Sequence, residues 1–172
     1  MNVRECAETE GEAKDTKVSR EVAEEKETEA VVRYLAHCVK QGEAYYYEGS
    51  GQRMSHLDGI LTTADYMKAA IEVKWRRFDY ETLMKFHQGE LLVGSEKVLA
   101  GKAFAYAFQL PTVLLYLLED CLLVQQLVDE KGDTPEMIRE VWEEGPKTDE
   151  DRSRTKKQNA FYKAETAEKI RL

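Results

Sequence analysis

The stretch AAIEVKW, residues 69–75, most constrains the fold. It is apolar enough to be a buried strand, yet it carries Glu72 and Lys74 with one residue between them. Side chains of a strand alternate between its faces, so Glu72 and Lys74 share one face while Ile71 and Val73 take the other. Charge buried without a partner is costly, so the pair needs company. The segment SHLDGILTT (55–63) lies just upstream, and a short polar connection at Ala64 and Asp65 joins it to YMKAAIEVKWR (66–76). A hairpin turning about Asp65 sets Asp58 opposite Glu72, with their Cβ atoms about 5 Å apart. Carboxylates that close repel unless a cation lies between them. Mg²⁺ or Mn²⁺ suits oxygen ligands, and Mg²⁺ takes one or two carboxylates with water. Such an ion activates water and polarises a phosphoryl oxygen, and Lys74 adds positive charge beside it. The plain alternative is a cross-strand salt bridge on a solvated sheet face.

The flanking pattern is α/β. Residues 1–17 are polar and without apolar periodicity, which predicts a flexible arm. From Val18 to Gln41 apolar residues recur at three- and four-residue steps, predicting a helix that stops at Gly42. EAYYYEG (43–49) reads as a strand. Phe78–Leu92 is mixed and helical in part. Ser95 is placed as the N-cap of a helix to Phe108, with Val98, Leu99, Ala105 and Phe108 facing inward. After Pro111, PTVLLYLLED and CLLVQQLVD read as paired core strands, with one buried helix over 113–128 as the competing reading. Thr134 and Pro135 predict a helix over 134–144, followed by a charged loop over 145–158. A short strand and a last helical turn end the chain. The predicted domains are the arm (1–17), a core (18–128) and a charged C-terminal extension packing on that core (129–172).

A net charge of −8 by itself disfavours a nucleic-acid partner, but its distribution removes the objection. Residues 30–128 hold 10 basic and 11 acidic side chains, while residues 1–29 are net −5, 129–151 net −7 and 152–172 net +5. The core can therefore host a positive groove, and the acidic segments offer a surface for a protein partner. No apolar run is long enough to span a bilayer. Cys6, Cys38 and Cys121 are isolated from one another, which fits a reducing compartment, and the expected location is the cytoplasm.

Asp58, thirteen residues, then Glu72-Val73-Lys74, set between a leading and a trailing helix, resembles the PD-(D/E)XK nuclease superfamily. The resemblance covers about residues 22 to 128. It implies a restriction-endonuclease-like mixed central β-sheet flanked by helices, and a Mg²⁺- or Mn²⁺-dependent DNA nuclease of a phage or mobile-element kind. Asp58 and Glu72 would bind the metal, and Lys74 would assist the water or stabilise the transition state. The acidic residue that many members supply from the first helix matches Glu29, with Glu25 in reserve. Leu57 stands where the motif's proline would be, and no Gln-x-x-x-Tyr follows the lysine. Arg76, Arg77, Lys97 and Lys102 are the residues expected at nucleic acid, against the plainer reading of solvated surface positions. His56 shares the strand face of Asp58. Small nucleases of this kind often act as homodimers. The alternative reading is a catalytically inactive module of the same fold that binds a protein or nucleic acid.

Overall fold

The computed structural model describes residues 20–49, 57–146 and 154–172. The predicted arm and His56 lie outside them. Helix α1 (Arg20–Lys40) is followed by strands β1 (Tyr46–Gly49), β2 (Gly59–Thr62) and β3 (Met67–Trp75). Helix α2 (Tyr80–Phe86), strand β4 (Glu90–Gly94) and helix α3 (Ser95–Phe108) come next. Strands β5 (Thr112–Leu117), β6 (Cys121–Val128), β7 (Met137–Pro146) and β8 (Arg154–Lys163) follow, then a 3₁₀ turn and strand β9 (Glu168–Arg171).

Six strands form the main sheet in the order β1-β2-β3-β5-β6-β9. All neighbours are antiparallel except β3 and β5, which are parallel. The parallel pair is possible because α2, β4 and α3 carry the chain back between them, the long crossover that a parallel pair requires. Strands β4, β8 and β7 form a second, antiparallel sheet.

The core lies on both sides of the main sheet. Ala30 and Val31 of α1 pack on Leu61, Ala69, Ile71, Val73, Leu115, Leu117 and Leu122. The opposite face, with Leu114, Tyr116, Leu123 and Leu127, packs on Val98 and Ala105 of α3, Leu83 of α2, and Leu91, Val93, Ala160 and Tyr162 of the small sheet. Being covered on both faces explains why VLLYL, after Thr112, is apolar at every position instead of alternating. Among the described residues, no helix is long and apolar enough to cross a membrane.

Local chemistry explains several boundaries. Helix α1 ends where Gly42 takes a positive φ of 83°. The Gly42 N–H donates to the Val39 carbonyl and the Glu43 N–H to the Cys38 carbonyl, the paired bonds of a Schellman stop. Strands 112–117 and 121–128 form the expected hairpin, not a buried helix. Helix α3 covers the expected range, but its N-cap is Gly94, and Ser95 is its first helical residue with no capping bond. The inward stripe is Val98, Gly101 and Ala105. Leu99 and Phe108, expected inside, are 65% and 51% exposed, since neither lies on that stripe.

The C-terminal third departs most from expectation. The helix expected over 134–144 is strand β7, whose acidic side chains stand opposite the basic ones of β8: Glu143 faces Lys157 and Glu144 faces Lys156. Cross-strand charge pairing and a long ladder override the helix propensity of the glutamates. The chain expected to be loop up to 158 is already β8 from Arg154. The last helical turn is the short 3₁₀ turn Ala164–Thr166, after which β9 closes the main sheet against β6. Strand β4 was not foreseen within Phe78–Leu92. ELLVG buries only Leu91 and Val93, too short an alternation to stand out beside α2.

Candidate active site

The β2–β3 hairpin has the register read from the sequence: Gly59 pairs with Ile71, Ile60 with Ala70 and Leu61 with Ala69. A shift between Leu61 and Thr62 then breaks it near the turn, away from the acidic residues. Asp58 stands just before β2 and is tied to β3 twice. Its N–H donates to the Ile71 carbonyl at 3.0 Å, and its Oδ2 accepts the Val73 N–H at 2.7 Å. Glu72 pairs with Leu114 and Lys74 with Tyr116, both on the sheet face covered by α3.

Glu72 is fully buried. Lys74 Nζ lies 2.6 Å from its Oε1, and Lys97 Nζ, from the first turn of α3, lies 3.0 Å from its Oε2. Neither carboxylate oxygen has a donor with hydrogen-bond angles. The contacts are ionic and loosely directed, although their lengths alone would pass for hydrogen bonds. Burial pushes the Glu72 carboxyl up to about 7, with Asp58 adding to the shift and the two lysines opposing it. Burial works to lower the Lys74 ammonium, but the Glu72 carboxylate outweighs it and raises the group above its ordinary value.

Helix α1 brings a carboxylate to this cluster, but it is Glu27, not Glu29. Desolvation and then the charge of Asp58 raise the Glu27 carboxyl, while Lys74 and Lys97 oppose them. Glu29 is engaged along its own helix, 2.7 Å from Lys26 Nζ and 2.8 Å from Arg33 Nε, which hold its carboxyl below the usual range. Glu25 is exposed. The helical period carried the signal. Ala30 and Val31 are the buried residues of this part of α1, and Glu27 stands three and four positions before them on the same face. Tyr47 was also missed. Its ring lies where a Cβ on Gly59 would be, 2.6 Å from that position. Burial, then Asp58, Glu27 and Glu72, push its phenol up to about 12.

The expected nucleic-acid residues separate. Lys97 is directed at Glu72, and Lys102 is exposed on α3. Arg76 is half-buried, donating from Nη1 to the Trp75 carbonyl at 2.9 Å, with its guanidinium 5.6 Å from the Tyr116 ring centre. Arg77 is exposed and sits 5.9 Å from the ring centre of Trp75.

Among the described residues, no three His, Cys, Asp or Glu side chains are spaced to hold a metal ion. The two carboxylates of Asp58 and Glu72 are nevertheless the number that Mg²⁺ takes when it keeps its waters. The undirected, buried oxygens of Glu72 are lone pairs that a cation would satisfy. In chemistry the donor set fits a hard divalent ion, and Glu29 is not part of it.

No family model matches the sequence, and no curated protein is significantly similar to it. Among solved structures the chain is similar to Hjc, a Holliday junction resolvase from the archaeal hyperthermophile Archaeoglobus fulgidus, with 15% identity and a TM-score of 0.49 over 84% of this chain and 92% of that one. The chain's own topology, a helix, a three-stranded antiparallel meander, a helical crossover and a strand parallel to β3, is the mixed central β-sheet flanked by helices that was expected.

Proposed function

We propose that this chain is a divalent-metal-dependent DNA nuclease that hydrolyses phosphodiester bonds at the Asp58–Glu72–Lys74 cluster. The observation that carries the reading is Glu72, a fully buried carboxylate coupled to Asp58 and attended by ammonium groups on the covered face of a central strand. A sheet interior does not hold this arrangement for stability, because apolar residues of similar volume would serve as well or better.

Asp58 and Glu72 would hold the metal, and Glu27 replaces Glu29 as the α1 carboxylate beside them. Bound there, a divalent ion supplies an activated water and neutralises charge on a phosphoryl oxygen. Asp58 is held in orientation by the Val73 N–H, so its carboxylate is set before substrate arrives. Lys74, 26% exposed, lies between the buried Glu72 and solvent, where its ammonium can face charge developing on the phosphate. The Glu72 carboxyl, raised towards neutrality, is deprotonated readily when a cation approaches.

One observation favours the second reading, a module of this fold that binds without cutting. Both oxygens of Glu72 already have a lysine, so the cluster is close to electrically complete by itself. Cleavage of labelled linear, circular, single-stranded and branched DNA with Mg²⁺, Mn²⁺ or EDTA distinguishes the two. The nuclease cuts with metal only, and Glu72→Gln, Asp58→Asn and Lys74→Ala each lose at least about a hundredfold. Glu27→Gln is expected to lose activity, while Glu29→Gln stays within about threefold of the native chain. Full cutting by Glu72→Gln would sink the reading. DNA binding with neither metal uptake nor cutting would establish the module.

A further inference from the structure

Lys97 was expected as a surface contact to nucleic acid, but its Nζ is 3.0 Å from Glu72 Oε2 and its side chain is only 17% exposed. Glu72 therefore has one ammonium at each oxygen, and the two come from different elements. Lys74 stands two residues along the same strand and face and holds Glu72 at the shorter distance, 2.6 Å. Lys97 reaches in from a separate element, α3, on a flexible four-carbon stem and stops at the longer distance, 3.0 Å. A divalent cation arriving at Glu72 meets both ammonium groups at contact distance, and like charges in a poorly screened site repel strongly. One of them has to yield. The geometry lets Lys97 go.

We propose that Lys97 is a displaceable counter-ion. It holds Glu72 when no metal is bound, releases it when metal binds, and then turns to a phosphate of the nucleic-acid substrate. This rests on the nuclease reading and adds regulation to the same site: metal and DNA binding become positively coupled through one side chain. Linkage makes the coupling reciprocal, so each ligand tightens the other by the same factor. A lysine serving only as a phosphate contact would leave metal affinity untouched.

The test uses the full chain, with Mn²⁺ binding followed by titration calorimetry and binding of a labelled DNA duplex measured with and without Ca²⁺. Lys97→Met removes the charge and keeps most of the length. It is expected to bind Mn²⁺ about five- to tenfold more tightly, and to lose most of the Ca²⁺-induced gain in DNA affinity. Lys97→Arg, which keeps the charge, is expected to restore the native Mn²⁺ affinity. Thermal melts establish that each variant is folded, and Lys97→Gln replaces the Met variant if that one is not. Native uptake of Mn²⁺ with unchanged or weaker affinity in the neutral variant overturns this proposal alone. A native chain that takes up no Mn²⁺ overturns the nuclease reading and this proposal together.

Discussion

Glu72 is the only charged side chain fully buried among the described residues, and its proton equilibrium follows from that position. The folded chain holds the proton up to about pH 7, whereas an unfolded chain releases it near the ordinary value of 4.5. Between those limits the folded state binds more protons than the unfolded one, so Glu72 lowers stability as pH rises from about 4.5 to about 7 and adds no further slope above it. Urea unfolding of the metal-free protein is expected to show this decline, and Glu72→Gln should lack it. Saturating Mn²⁺ should reverse the sign, because the metal-bound carboxylate is ionised in the folded state at a pH where the free group is not. Parallel pH profiles for the native and Glu72→Gln chains would mean that Glu72 does not titrate as its burial demands. At this scale Asp58, Glu72 and Lys74 were legible because strand period and hairpin register are local arithmetic. Lys97 was expected at nucleic acid, on the helix opened by Ser95, and not at Glu72. Its contact with Glu72 depends on how α3 docks, which no local pattern states.

Helix α3 docks through its small-residue stripe. A Cβ added at Gly101 would lie 2.9 Å from Val128 Cγ2 and 3.0 Å from Thr112 Oγ1, both on strands of the main sheet. Gly101 thus sets the distance between α3 and the sheet, and with it the reach of Lys97 from the first turn of that helix. Gly101→Ala would gain helix propensity but must push α3 outwards. Overpacking costs about 1–3 kcal/mol, which exceeds the gain of up to about 1 kcal/mol. The variant is expected to melt at a lower temperature than the native chain, and a higher melting temperature would show that the interface has slack. The same element shows how far sequence reading carries. Its limits were readable from Ser95 and Pro111, but its inward face was assigned by hydrophobicity, and Leu99 and Phe108 face solvent instead. Strand β7 was misread for a related reason. Its glutamates favour a helix locally, and only the lysines of β8 opposite them make it a strand.

At the scale of the whole molecule, the C-terminal segment supplies interior, though its composition is that of a surface. Its charge drew attention away from AFY at 160–162, three consecutive buried residues on β8. Ala160 and Tyr162 fill the second core cluster beside Leu91, Val93, Leu123 and Leu127, and β9 completes the main sheet at its β6 edge. Such long-range pairing joins residues 44 to 73 positions apart, so a reading built on local periods cannot find it. Tyr162 joins the layers directly. Its ring is wholly buried, and its hydroxyl donates to the Leu127 carbonyl on β6 at 3.1 Å. Tyr162→Phe keeps the ring and leaves that buried carbonyl without this donor, at an expected cost of about 1–3 kcal/mol. Tyr162→Ala also opens a cavity, at about 3–5 kcal/mol. If the segment is integral, both variants unfold in one cooperative transition at lower denaturant, with the order native, Phe, Ala. If it is an appendage, the main transition stays in place and a separate early one moves. Monitoring unfolding by circular dichroism alongside fluorescence distinguishes these results, because an integral segment requires the two probes to coincide.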